Sequence, residues 1–305
     1  MNSLATSVLN TLLSLWVQIR DLYLYLFRHA IVVNGYVDDH TWRGIRHRNW
    51  GDDLNYYFLQ ELTERPIVFY HHFKFAKWLR LKNYLCIGTL LDAVNYSNRQ
   101  TVVWGSGVSG QEREFVCPEK ILAVRGKKTK EFLDRHHIPC PEVYGDPALL
   151  LPLVYQPCMA VKKYKLGIIP HVVDLRYPVV EEIRKKHSDE ILIVDLAHYE
   201  KWTDVIDQIC SCERILSSSL HGLIVSDTYQ VPNCWIELTG NIAGGYFKFH
   251  DYFSSVSKNV SSPLTIVDIK DILSIRNDSF NRADINIISN LRENLQNVVP
   301  FKTQE

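Results

Sequence analysis

Arg214-Ile215-Leu216-Ser217-Ser218-Ser219-Leu220-His221-Gly222 carries a short apolar strand pattern through three small residues into a helical pattern that continues over Leu223, Ile224, Val225 and Tyr229. A strand that passes directly into a helix is the repeating unit of a parallel α/β sheet. The same turn presents a helix start, where unpaired N–H groups and a partial positive charge favour a phosphate or carboxylate. His221 stands in the mouth of that turn. Two readings are open for it: an acid–base group beside an anion site, or a histidine that caps or packs its helix.

The pattern repeats on either side. Ile31-Val32-Val33, Pro66-Ile67-Val68-Phe69, Tyr84-Leu85-Cys86-Ile87, Thr101-Val102-Val103-Trp104 and Ile121-Leu122-Ala123-Val124 read as strands, with helices over 53–63 and 127–136. Proline density then rises through Pro139-Cys140-Pro141, Gly145-Asp146-Pro147 and Leu151-Pro152, which marks a boundary. Beyond it, Leu166-Gly167-Ile168-Ile169, Ile191-Leu192-Ile193-Val194, Arg214-Ile215-Leu216 and Cys234-Trp235-Ile236 read as strands, separated by helices near 178–187, 201–210 and 220–229. The expectation is an α/β protein with two Rossmann-like domains, 29–152 and 153–305, facing a shared cleft after an N-terminal amphipathic helix over 1–28.

With 305 residues the chain is long enough for two medium cores, and zero formal net charge argues against a general nucleic-acid binder. Seven cysteines, scattered without CxxC spacing, suggest neither a disulfide framework nor a zinc site and fit a reducing cytosol. Residues 2–19 carry no charge, but their many Ser, Thr and Asn make a poor membrane span, and the missing basic n-region makes a poor signal peptide. Leu4, Val8, Leu12, Leu15, Trp16, Ile19 and Tyr23 share one helical face, with Arg20 and Arg28 nearby. That face suits either a membrane surface or packing on the domain or an oligomer contact.

Gly105-Ser106-Gly107-Val108-Ser109-Gly110 matches GxGxxG after a strand. The rest of a dinucleotide fingerprint is missing: no amphipathic helix follows, and the next strand leads into Arg125 rather than an acid. The segment reads better as a glycine-rich loop at the carboxyl edge of a sheet. Other polar groups fall at similar edges, where open α/β sheets bind ligands. They are the loop Asn49-Trp50-Gly51-Asp52-Asp53, whose Asp52 or Asp53 can cap the following helix, Arg125-Gly126, His171 after Gly167-Ile168-Ile169-Pro170, and Gly244-Gly245-Tyr246-Phe247-Lys248-Phe249-His250.

Taken in order, Asn49-Trp50-Gly51-Asp52, Arg125-Gly126, Gly145-Asp146-Pro147-Ala148-Leu149-Leu150-Leu151, Gly167-Ile168-Ile169-Pro170-His171 and Ser219-Leu220-His221-Gly222 resemble the polysaccharide pyruvyl transferases across roughly residues 45–255. The resemblance implies a GT-B-like pair of Rossmann-like domains and transfer of a pyruvyl group from phosphoenolpyruvate to a sugar as a cyclic ketal, with release of phosphate and no metal or other cofactor. It implies His221 as the proton-transfer group and Asp52 as the base for an acceptor hydroxyl. Donor contacts fall to Ser217, Ser218, Ser219, Leu220, Gly222, His171, Arg125 and Lys248, and acceptor contacts to Asn49, Trp50, Asp53 and Trp104, with Tyr246 and Phe247 as further stacking rings and His250 as a secondary histidine. Ser219 stands where the family often has arginine, so Arg125, Arg176 or Lys248 would have to hold the donor's charge. The implied setting is the cytoplasmic face of a membrane, with an acceptor sugar on a polyprenyl diphosphate. A nucleotide-sugar glycosyltransferase and a non-catalytic carbohydrate-binding relative are the competing readings.

Overall fold

The computed structural model describes residues 3–37, 40–41, 44–157, 162–241 and 245–301, with backbone alone for 3–6 and 40. Gly244 and the side chain of Leu4 therefore lie outside the described parts. The strands are β1 (Ile31–Val33), β2 (His40–Thr41), β3 (Gly44–Ile45), β4 (Ile67–Phe69), β5 (Asn83–Leu85), β6 (Thr101–Trp104), β7 (Lys120–Ala123), β8 (Leu166–Ile169), β9 (Ile191–Ile193), β10 (Ile215–Ser217), β11 (Asn233–Glu237) and β12 (Leu264–Thr265). The main helices are α1 (Ser3–Phe27), α2 (Trp50–Asp53), α3 (Tyr57–Thr63), α4 (Lys74–Trp78), α5 (Lys127–Arg135), α6 (Pro178–Lys186), α7 (Trp202–Cys210), α8 (Leu220–Thr228), α9 (Phe247–Val256), α10 (Ile269–Ser274) and α11 (Ile285–Asn297).

Two five-stranded sheets form, ordered β4-β1-β5-β6-β7 and β12-β11-β10-β8-β9, with every strand pair in them parallel. Numbered within each sheet, both orders read 2-1-3-4-5, the doubly wound Rossmann-like arrangement. β2 and β3 make a separate antiparallel hairpin. Strands such as β1, β4 and β6 are buried along their whole length, as expected when helices cover both faces of a parallel sheet.

In such sheets the chain leaves in opposite directions from the two strands at the switch point, and a crevice opens at their carboxyl ends. In the first sheet those strands are β1 and β5, followed by Asn34 and by Cys86-Ile87-Gly88-Thr89. In the second they are β8 and β10, followed by Pro170-His171 and by Ser218-Ser219-Leu220-His221.

Three segments depart from the sequence reading. The helix expected over 53–63 divides into α2 and α3, because the Asn55 side chain is drawn to the end of β5: its Oδ1 accepts from Ile87 N at 3.1 Å and its Nδ2 donates to Ile87 O at 2.9 Å. The proline-rich stretch does lie between the two sheets, yet it is no exposed linker. Pro147–Leu153 is a 3-10 helix started by Asp146, which accepts from Ala148 N at 2.9 Å, and Leu149, Leu150 and Leu151 are fully buried. Finally, the end of the chain returns to the first sheet: Trp104 Nε1 donates to Leu295 O at 3.1 Å, and Phe301 packs edge-on against Trp104 and Tyr84.

Candidate active site

A cleft of about 480 Å³ is lined by both switch points, including Asn49, Asp52, Thr89, Arg125, His171, Ser219, Leu220, His221 and Lys248. Asn49 opens α2, where its Oδ1 accepts from Gly51 N at 3.3 Å and its Nδ2 donates to Asp52 Oδ2 at 2.7 Å. Asn49, rather than either aspartate, is therefore the cap. It also aims Asp52 into the cleft. Burial, reinforced by the neighbouring Asp53, pushes the Asp52 carboxyl up to about 7, against the opposing pull of Lys248 and Asn49. A carboxyl there exchanges its proton near neutral pH.

His221 occupies the first turn of α8, whose N-cap is Ser219, two residues beyond the end of β10. It is only 9% exposed, and its Nε2 is buried without a hydrogen-bond partner among the described residues. Burial, then the charges of Arg125 and Lys248, push its imidazole down to about 3, so it is neutral near neutral pH. Lys248 sits in the first turn of α9, and burial together with Arg125 pushes it down to about 8. His171 also lines the cleft; its Nδ1 accepts from Val173 N at 3.4 Å, and burial pushes it down to about 4.

Arg125 reaches the cleft from behind β7 and is almost wholly engaged. Its Nε donates to Asp251 Oδ2 at 2.9 Å, its Nη1 to Thr89 Oγ1 at 2.7 Å and its Nη2 to Val108 O at 3.4 Å. Asp251 also accepts from Thr129 N and Oγ1, both at 2.8 Å. This fully buried ion pair ties α9 to the start of α5, and α9 in turn presents Lys248. The glycine-rich loop serves the same packing. A Cβ on Gly107 would stand 2.4 Å from Arg125 Nη2, and one on Gly110 2.3 Å from Phe247 Cδ2. Asp92 holds the loop by accepting from Ser109 N at 2.8 Å and Ser109 Oγ at 2.6 Å.

Several residues singled out from sequence do not face the cleft. Trp50 is buried with its Nε1 donating to Trp202 O at 2.7 Å, and Trp104 is buried under Leu295, so neither ring is available to stack on a sugar. Asp53 is 2% exposed and accepts from the Tyr199 hydroxyl at 2.6 Å. Tyr199 itself stacks on His47 at 4.2 Å. Asp53 and Trp50 thus fasten α2 to the loop after β9 and to the start of α7. Ser217 and Ser218 are buried, with hydroxyls donating to Ser219 O at 2.8 Å and to Asp174 Oδ2 at 3.0 Å. They shape the turn from inside. Gly222 packs against Ser217 and Ile169, Tyr246 donates to Glu237 at 2.7 Å, and His250 lies edge-on to Trp235. Arg176 and His250 are not among the lining residues.

Ser219 does line the cleft, and its hydroxyl has no protein partner among the described residues. The lining also includes Tyr36, Thr89, Gln111 and Arg113, which the sequence reading missed. Arg113 adds a cation at the mouth. Its signal was its place just beyond the GxGxxG run, in a segment with no helical pattern.

The sequence matches the polysaccharide pyruvyl transferase family over residues 29–239, a span that holds both halves of the cleft except Lys248. The chain belongs to the polysaccharide pyruvyl transferase family. By sequence, the uncharacterized protein L143 of Acanthamoeba polyphaga mimivirus is 28% identical over 222 residues, covering 68% of this chain and 70% of that protein.

Proposed function

We propose that this protein is a transferase of polysaccharide synthesis that moves a pyruvyl group from phosphoenolpyruvate onto two hydroxyls of one sugar, forming a cyclic ketal and releasing phosphate. The observation that carries the reading is the convergence of a carboxyl tuned to about 7, a neutral histidine whose Nε2 has no partner among the described residues and a lysine at one helix-start cleft, in a chain of this family. Lys248, Arg113 and the first turn of α8 take the donor's phosphate and carboxylate, the task left by Ser219 in the arginine's place.

Donor charge entering beside His221 offsets Arg125 and Lys248, and the imidazole gains a proton. His221 passes that proton to the methylene carbon, and C2 becomes an oxocarbenium-like electrophile. One sugar hydroxyl adds to C2 as Asp52 takes its proton. The C2–O bond to phosphate breaks, a second hydroxyl adds to C2, and the ring closes. Of the two hydroxyl protons, one replaces the proton spent on the new methyl group and the other leaves with phosphate. These are proton transfers and charge stabilisation, the work such a cleft is built for.

The facing Rossmann-like sheets suit a GT-B-like division of labour, with the acceptor on the Asp52 side and the donor on the α8 side. Beside the cleft, Tyr70, His71, Tyr96 and Phe115 line a second cavity that shares Ala93 with it. That groove, rather than Trp50 or Trp104, offers rings for the sugars of an acceptor chain. The test is purified protein with phosphoenolpyruvate or nucleotide sugars against a panel of aryl and lipid-linked hexosides, following phosphate and acceptor mass together. Phosphate release with a pyruvyl mass gain, lost in His221→Ala, is the expected result. Transfer from a nucleotide sugar would replace the reading with glycosyl transfer.

A further inference from the structure

Helix α1 packs on the domain through its C-terminal half, and there polar groups face inward, while Ser7, Asn10, Thr11 and Ser14 toward its start stay exposed. Gln18 and Asp21 are buried beside Val17: Gln18 Nε2 donates to His72 O at 2.6 Å, its Oε1 accepts from Lys74 N at 2.7 Å, and Asp21 pairs with Arg20 at 2.7 Å. On the opposite side, Val8, Leu12, Leu15, Ile19, Tyr23 and Leu26 recur at three- and four-residue intervals, which at 3.6 residues per turn puts them on one narrow stripe. Each is more than half exposed. A helix that buries Gln18 and Asp21 while showing this apolar stripe to water is built for a second, apolar contact.

The neighbouring charge identifies that contact. Between Arg65 and Leu91 the sequence holds Lys74, Lys77, Arg80 and Lys82 and no acidic residue, in a protein with no net charge. Lys74 begins α4, which is fastened to α1 through Gln18. Lys77 and Arg80 are exposed and make no ion pair among the described residues, and Trp78 beside them is 78% exposed. No helix among the described residues is long and apolar enough to cross a membrane.

We propose that α1 and α4 form one interfacial anchor that seats the protein on an anionic lipid bilayer. The α1 stripe enters the acyl boundary, Tyr23 and Trp78 sit at headgroup level, and Lys77 and Arg80 meet lipid phosphates. A second copy of the chain is the poorer occupant, because a two-fold pairing of this face would bring the same lysine and arginine toward their own counterparts. The inference stands whether or not the transfer reaction above is correct.

The test is co-sedimentation of the full-length protein with vesicles of phosphatidylcholine alone and of phosphatidylcholine containing about a third phosphatidylglycerol. Binding to the anionic vesicles at least about tenfold tighter is expected, with a similar loss in Lys77→Glu/Arg80→Glu and in Leu12→Gln/Ile19→Gln. All the substituted side chains are exposed, and unchanged circular dichroism confirms folding. Equal or absent binding to the two vesicle types would overturn the proposal. So would a wild-type dimer that Leu12→Gln/Ile19→Gln makes monomeric while vesicles are ignored.

Discussion

The backbone of Gly51 and the imidazole of His221 meet face to face across the cleft: a Cβ at position 51 would stand 1.9 Å from His221 Nδ1 and 2.4 Å from its Cγ. One belongs to the capped turn of α2, the other to the first turn of α8. The glycine brings Asp52, its next neighbour, into the same cleft as the histidine. Gly51→Ala must therefore displace His221 or pull α2 away from the second sheet. Overpacking of this kind costs about 1–3 kcal/mol. A lowered melting temperature and a drop in turnover of about a hundredfold or more are expected, measured by thermal unfolding and phosphate release.

Asp52 should cost stability as well as support turnover. Its folded pKa, about 7, lies above the ordinary carboxylate range, so the folded state holds a proton that the unfolded chain has released. Its unfavourable contribution is absent below about pH 4, grows as pH rises toward 7 and is then constant. Asp52→Asn is expected to raise stability at pH 8 by on the order of 2 kcal/mol, allowing for the opening of the carboxyl to the cleft, and to change little at pH 4. Turnover should fall in the same variant. Denaturant unfolding at the two pH values checks the first half, and phosphate release the second.

Lys248 loses its charge as pH rises through about 8. Inorganic phosphate should bind the empty cleft more weakly at pH 9 than at pH 7, as measured by calorimetry. Lys248→Met should weaken binding about tenfold at pH 7 and flatten that pH dependence.

Arg125 and Asp251 are expected to behave differently from Lys248. Removing either partner of a buried ion pair strands the other, at about 3–5 kcal/mol. Arg125→Leu should thus lower the melting temperature by many degrees, whereas Lys248→Met should leave it nearly unchanged. Equal melting temperatures for Arg125→Leu and the wild type would contradict the packing role of the pair.

The α/β class was legible because most strands are short apolar runs and several pass into a helix within a few residues, as at Ile215 to Leu220. The sheet order was not, since nothing local says that β1 lies between β4 and β5. α9 escaped notice although Phe249, Tyr252, Phe253 and Val256 have helical spacing, because the glycines and mixed polar residues around Lys248 read as a loop. Trp50 and Trp104 show a harder limit. Aromatics beside polar loops look alike whether they stack on ligands or plug the core, and the returning C-terminal segment with Leu295 and Phe301 that covers Trp104 is not legible near it in sequence. The serine run misled for a related reason: small residues suit an anion loop, but at Ser217 and Ser218 the hydroxyls are consumed in holding the turn.

The most direct test of the central claim is to run the reaction with phosphoenolpyruvate and a responsive acceptor in deuterium oxide and read the product by NMR. Protonation of the methylene carbon in the cleft predicts a cyclic ketal whose methyl group carries one solvent deuterium. A product that keeps an intact vinylic methylene, or a methyl group free of deuterium, would contradict it.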